Sequence, residues 1–417
     1  MLRKTAAVLV TMLLAACAAA PSDADILARA QQIHEGLITI DTHVDIPPNF
    51  ATDQVDPGVR GPFQVDLPKM REGGLDAAFF VAYVPQTPRT AANRRQAQER
   101  ALRKMAGIRR MTYDLYPDQI ELAYSAADVE RIHASGKLAA VISIENGYAL
   151  GGDLGMLEKY YELGVRSAGL THSGHNDLAD SSNPRGGPDE EHGGLSELGR
   201  EYVRAMNRLG IIVDVSHASK NATLQTLELS RAPVIASHSA VHALSPVPRA
   251  MDDEQLLALK ENGGVIHIIA HTNHLRPADP ERRQAILEAR ERFGVTGASG
   301  VGDVSRAAQQ GYLAAMEEIN ERWPGATVQD LADHIDYAVD LIGVAHVGIG
   351  SDFDGGGGIR GFNDASESLN VTVELVRRGY GEEEIRKIWG ENLLRVWRQV
   401  EQVAGEAQAR EDAGAAE

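Results

Sequence analysis

Six apolar runs in the sequence end in residues able to carry chemistry. Asp41-Thr42-His43-Val44-Asp45 closes the first run, Ile144-Glu145-Asn146 the third and Leu170-Thr171-His172-Ser173 the fourth. Val215-Ser216-His217 closes the fifth, Ala236-Ser237-His238 the sixth and Ser351-Asp352-Phe353-Asp354 the eighth. An ionisable group at the end of an apolar strand needs a partner, because a lone buried charge is costly. A metal ion partners several such groups at once. His43 and Asp45 are two residues apart, so on a strand both side chains share a face and could grip one divalent ion. His217 and His238 end successive runs, hence neighbouring spokes, and could grip another. Glu145 lies between these pairs in order, with two oxygens to bridge two ions. Three histidines and two carboxylates around two metals suit Zn²⁺. Two such ions about 3.5–4 Å apart can share a hydroxide and activate it near neutral pH. An isolated His-x-Asp or Ser-His is more often a structural pair; the whole constellation carries the reading.

The elements that must position these residues are eight strand-like runs rich in Val, Ile and Leu, at 37–45, 77–84, 139–145, 167–172, 211–217, 233–238, 264–271 and 346–352. Amphipathic stretches with helical spacing separate most of them, among them 92–113, 154–163, 195–209 and 253–260. Nearly continuous apolar strands alternating with helices predict a parallel α/β architecture buried on both faces. Eight such units favour a (β/α)₈ TIM-like barrel, whose C-terminal strand ends carry the active site. Two long connections, 84–139 and 271–346, predict helical insertions, and a helix over 382–402 closes the chain.

The 417 residues carry 41 Lys+Arg against 59 Asp+Glu, a net charge of −18 that disfavours nucleic-acid binding. An apolar fraction of 43% permits a sizeable core. The single cysteine, Cys17, excludes an intramolecular disulfide and a cysteine-based zinc site. Met1-Leu2-Arg3-Lys4, an apolar run and Leu14-Ala15-Ala16-Cys17 read as a secretory signal with a bacterial lipobox. The expected organisation is therefore a signal peptide over 1–17, a tether over 18–25, a barrel domain over 26–403 and a disordered tail over 404–417. The expected address is the cell envelope, anchored by lipid on Cys17 and facing the periplasm. His34, His133, His192, His242, His334 and His346 fall where structural roles suffice. His267 and His271 are ambiguous, with His267 leaning structural, and Gly355 to Gly358 reads as a flexible loop rather than a phosphate cradle, since no Lys-Ser/Thr follows.

These residues together resemble the membrane (renal) dipeptidases, dinuclear zinc peptidases of the amidohydrolase-like barrel group. The resemblance runs from about Ile33 to Gln399 through Asp41–Pro47, Ser143–Asn146, Gly169–Ser173, Val213–His217, Pro233–Ser239, Gly348–Gly355 and Gly390–Val396. It implies that His43, Asp45 and Glu145 hold one zinc and that Glu145, His217 and His238 hold the other. It also implies that His172 contacts substrate and stabilises the tetrahedral oxyanion, that Arg249 grips the substrate carboxylate, and that Asp352 handles the proton, with Asp354 a weaker candidate. Read without the resemblance, Arg249 in its Pro-rich turn could be an ordinary surface arginine. The implied reaction is hydrolysis of dipeptides (L-Xaa-L/D-Xaa) by a metal-bridged hydroxide, in a homodimer. Other metal-dependent amide, lactam or ester hydrolases, and a silent lipid-anchored binding protein, are the alternatives. One departure stands out: where the family often carries an Asn-Phe-Tyr-like segment, this chain reads His267-Ile268-Ile269-Ala270-His271.

Overall fold

Eight of the predicted runs form consecutive parallel neighbours in one sheet. The computed structural model describes residues 21–277, 279–295, 301 and 304–415. Its strands are β1 (Ile40–Asp45), β2 (Ala77–Tyr83), β3 (Ile120–Leu122), β4 (Leu138–Glu145), β5 (Val165–Gly169), β6 (Ile212–Asp214), β7 (Ile235–Ser239), β8 (Val265–Ile269) and β9 (Val347–Gly350). They pair in the order β1-β2-β4-β5-β6-β7-β8-β9, and β3 adds to the edge of β4. A parallel bridge between Val44 and Phe353, with Asp45 N–H donating to Phe353 O at 2.8 Å, brings the two ends of the sheet together. The result is the expected (β/α)₈ TIM-like barrel, nearly closed. β3 escapes the sequence reading because three residues are too few to display a period.

Residues near the N-terminal ends of the strands, including Ile40, Phe79, Val141, Ile212, Ile235 and Val265, cluster with Leu393, Trp397 and Val400 of the last helix. That helix therefore closes the barrel end opposite the site. It runs Asn392–Ala415, so the described part of the expected disordered tail is helical. The tail is rich in Ala and Glu, good helix formers that prolong a helix already anchored by packing even without an apolar face. At the other end the first helix, Asp23–His34, begins inside the expected tether, capped by Ser22 in a reciprocal pair with Asp25. The predicted signal peptide and Cys17 lie outside the described residues.

The Gly390–Val396 motif has a structural task. Gly390 passes so close to Ile38 O that a Cβ would lie 2.4 Å from it. Asn392 Nδ2 donates to Val344 O (2.7 Å) and Val347 O (2.9 Å), and Arg395 donates to Gly263 O and Ala345 O, carbonyls at the starts of β8 and β9. Loss of a buried donor leaves its acceptors unsatisfied. Asn392→Ala is expected to lower unfolding free energy by ~1–3 kcal/mol in denaturant titrations; an unchanged midpoint would contradict this account of the motif.

Candidate metal centre

The ligand-bearing residues arrive at the barrel mouth through local irregularities in the strands. β1 pairs Asp41 with Ala78 but Val44 with Phe80, so it carries one extra residue, a bulge, at the position of His43. Asp41 Oδ1 fixes the bulge by accepting from His43 N–H (3.1 Å) and Ser351 N–H (2.9 Å). β7 repeats the device: Ala236 pairs with Ile266 but Ser239 with Ile268, placing a bulge at Ser237-His238. His43 and Asp45 share the site as their two-residue spacing predicts, with a bulge in the strand just before Val44. Left-handed backbone at Asn146 (φ 72°), His217 (φ 69°) and Asp352 (φ 61°) turns the chain sharply just past β4, β6 and β9.

Four predicted ligands converge around Glu145. His217 Nε2 lies 2.9 Å and His238 Nε2 3.4 Å from Glu145 Oε1, while His43 Nε2 lies 3.8 Å from Oε2. Asp45 Oδ2 is 3.6 Å from His43 Nε2, and the Nε2 atoms of His217 and His238 are 3.0 Å apart. His43, Asp45 and Glu145 form one metal-ligand grouping; Glu145 joins His172 and His217 in a second, and Asp352 joins His43 and His238 in a third. All five predicted metal ligands, together with His172 and Asp352, therefore belong to one cluster.

The hydrogen bonds behind the imidazoles decide which nitrogen faces inward. Ser237 Oγ donates its only proton to Asp214 Oδ2 at 2.6 Å, so toward His238 it acts as an acceptor. His238 Nδ1–H donates to it at 2.8 Å, leaving Nε2 unprotonated and facing Glu145. Ser237 Oγ also lies 3.4 Å from His43 Nδ1, whose Nε2 is buried without a hydrogen-bond partner. Asp214 is in turn pinned, its Oδ1 accepting from Ser216 N–H and Ser237 N–H, each at 2.9 Å. Unpaired imidazole lone pairs pressed against carboxylates in a buried site fit a divalent cation, with the second rank of hydrogen bonds that metal-bound histidines use. Burial pushes the carboxyls of Glu145 up to about 8 and Asp352 up to about 7; a cation reverses that preference for the neutral acid.

The flanking residues complete the mouth. The His172 ring stacks edge-on against Tyr83 at 4.7 Å and tilts over His217 at 4.3 Å. Arg249 is held beside His238, donating from Nη1 to Ser239 Oγ (3.0 Å) and from Nη2 to His238 O (2.7 Å). Its Nε is buried without a partner, which sets it apart from a free surface arginine. Asp354 accepts from Gln64 N–H (2.9 Å) and Val65 N–H (3.3 Å), so it anchors a loop, while Asp352 faces the cluster. Gly355 to Gly358 is closely packed against the site. A Cβ on Gly355 would lie 2.3 Å from Asp45 Oδ2 and 2.4 Å from Asp352 Oδ1, and Gly358 N–H bonds Ala270 O at 2.8 Å. Sequence reasoning missed Tyr83, Asp214 and the role of Ser237. Tyr83 ends β2, so its place at a strand end was an available signal. The Ser237–Asp214 link joins two strands and left none.

A (β/α)₈ barrel whose strand ends gather histidines and carboxylates around a shared glutamate defines a metal-dependent hydrolase-type centre. The family model for membrane dipeptidases (peptidase family M19) matches residues 27–411. The chain is 34% identical to the dipeptidase aclJ of Aspergillus oryzae, covering 82% of this chain and 71% of that protein. It is 32% identical to the dipeptidase verJ of Clonostachys rogersoniana, covering 91% and 88%. The probable dipeptidase PvdM of Pseudomonas aeruginosa superposes with a TM-score of 0.79 at 36% identity, over 91% of this chain and 99% of that one. A Rhodobacter sphaeroides metallopeptidase liganded with a phosphinate mimic of L-Ala-D-Ala superposes with a TM-score of 0.69 at 26% identity, over 87% and 99%. The chain belongs to the membrane dipeptidase family of metallopeptidases.

Removing the hydroxyl that orients His238 should weaken metal binding without removing a ligand. Ser237→Ala is expected to lower metal affinity on the order of 10–100-fold in chelator competition; unchanged affinity would reject the orienting role. Gly355→Ala is expected to reduce activity strongly while thermal unfolding shows a folded protein, because its methyl group would displace Asp45 and Asp352.

Proposed function

We propose that this chain is a zinc-dependent dipeptidase, with one ion held by His43, Asp45 and Glu145 and a second by Glu145, His217 and His238. The observation that carries the reading is the convergence of three imidazole Nε2 atoms on both oxygens of one buried glutamate, at 2.9–3.8 Å. Zn²⁺ bound there would polarise a peptide carbonyl and make a water molecule easier to deprotonate.

The remaining steps belong to side chains of the protein. Arg249, anchored at two of its nitrogens, offers its remaining N–H groups to the free carboxylate of the substrate, a charge-assisted contact that places the scissile bond at a fixed distance from it. His172 faces the carbonyl oxygen and donates to the negative charge that develops on it. Asp352 accepts the proton of the attacking water and delivers it to the leaving amine, a general acid/base role. A carboxylate clamp favours dipeptides over longer chains, and it does not by itself read the chirality of the carboxyl-side residue, so both L and D forms fit.

Export and lipid attachment through Cys17 are part of the proposal, supported by the Leu14-Ala15-Ala16-Cys17 sequence. They would present the site to small peptides at the cell envelope. The homodimer rests on the family resemblance.

Metal content and dipeptidase activity measured on one purified sample test the reading. About two zinc ions per chain are expected, with activity lost on chelation and restored by Zn²⁺. Two ions with no cleavage of any dipeptide would move the substrate to another amide or ester. The clamp predicts that L-Ala-L-Ala and L-Ala-D-Ala are cleaved and that a tripeptide is cleaved at least tenfold more slowly, about the loss of one charge-assisted contact; equal kcat/KM values would remove Arg249 from that role.

A further inference from the structure

Beyond the ligands and Arg249, the mouth holds two histidines that the proposed reaction does not use. His271 follows β8 and caps the short helix Thr272–Leu275, its Nδ1 accepting from Asn273 N–H at 3.1 Å. That bond fixes the tautomer: the neutral ring must carry its proton on Nε2, which is then a donor. Nε2 packs against Gly356, in the turn that follows Asp352. A Cβ on Gly356 would lie 3.0 Å from His271 Nε2 and 3.7 Å from Asp352 Oδ2, so the donor and the acid flank the same glycine. His274 packs against His271 with ring centroids 4.6 Å apart, and its Nδ1 is buried without a partner.

Apart from Asp352, the charges near this ring are positive. The strongest charges acting on the His271 ring are Arg282, Arg249 and Arg290. Arg282 is 7% exposed and makes no ion pair among the described residues; its guanidinium is held by Asn273 Oδ1 (3.3 Å) and Asn320 Oδ1 (2.8 Å). With its guanidinium held by amides and Asp279 as the nearby acid, this buried arginine still leaves positive potential for an anion to use. Arg249, the proposed clamp for the substrate carboxylate, lies in the same neighbourhood, so this corner faces the carboxyl-side residue of the substrate.

We propose that His271 is a specificity-determining residue, donating from Nε2 to a carboxylate on the side chain of the substrate's carboxyl-side residue, so that the enzyme prefers dipeptides ending in an acidic amino acid. The inference rests on the dipeptidase reading. A site built to hydrogen-bond a substrate group discriminates strongly against the analogue lacking it, because its buried polar atoms are then unpaired. An aromatic residue at this place would offer shape without that donor.

The test compares kcat/KM for L-Ala-L-Asp and L-Ala-L-Leu, side chains of similar size, on zinc-loaded wild type, His271→Phe and His271→Gln. Wild type is expected to favour L-Ala-L-Asp at least about tenfold. His271→Phe should bring that ratio close to one, and His271→Gln, which keeps an N–H donor, should restore part of it. A purely structural role would depress both substrates together and leave the ratio alone. A wild-type ratio near one, or a ratio unmoved in His271→Phe, would overturn the inference and leave the dipeptidase reading intact. Cleavage of neither dipeptide, nor of L-Ala-L-Ala, by the loaded wild type would overturn both.

Discussion

The structure is organised around one buried carboxylate. Glu145 stands at the end of β4, and three imidazole nitrogens from β1, β7 and the turn after β6 reach its two oxygens at 2.9–3.8 Å. In so buried a site, clustered imidazole nitrogens and carboxylate oxygens are best satisfied by a shared cation. Every surrounding feature serves that arrangement. Asp41 holds the bulge that presents His43, Asp214 and Ser237 orient His238, and the glycines after Asp352 leave room where a methyl group would collide with Asp45.

The barrel makes this possible by separating two tasks. Its lower end is an apolar plug in which the C-terminal helix packs against the first residues of the strands, with Asn392 and Arg395 satisfying carbonyls there. That end supplies stability, so the upper end is free to accommodate strain: left-handed residues, two bulges and a concentration of unpaired polar atoms. The insertion after β8 then adds what the shared site lacks. His271, His274 and Arg282 line this part of the mouth with polar side chains.

Much of this was legible in the residues. The eight apolar runs, the ligand types at their ends and the resemblance of the motifs together gave the barrel and the membership in the dipeptidase family. The six histidines set aside as structural include His34, bonded to Thr372 Oγ1 (2.7 Å) and Gly73 O (2.9 Å), and His334, which bonds Val241 N–H (3.0 Å) and Leu275 O (3.1 Å). His267 likewise bonds Ala236 O. The readings that differed were local. The glycine run after Asp352 reads as a flexible loop in the sequence because composition does not reveal what a side chain would strike. The tail over 404–417 reads as disordered because it lacks an apolar face, although a helix that is already packed can extend through such a segment.

The sequence by itself determined which chemistry was available: strand-forming runs set a side-chain period and a parallel order, and the residues at their ends are metal-ligand types whatever surrounds them. Only the tertiary structure decided which atoms meet. Bulges that shift the register by one residue reverse the face a side chain uses, and hydrogen bonds between strands far apart in sequence decide which nitrogen of an imidazole keeps its proton. Neither effect leaves a periodic or compositional trace, because both depend on contacts that exist only once the barrel has closed.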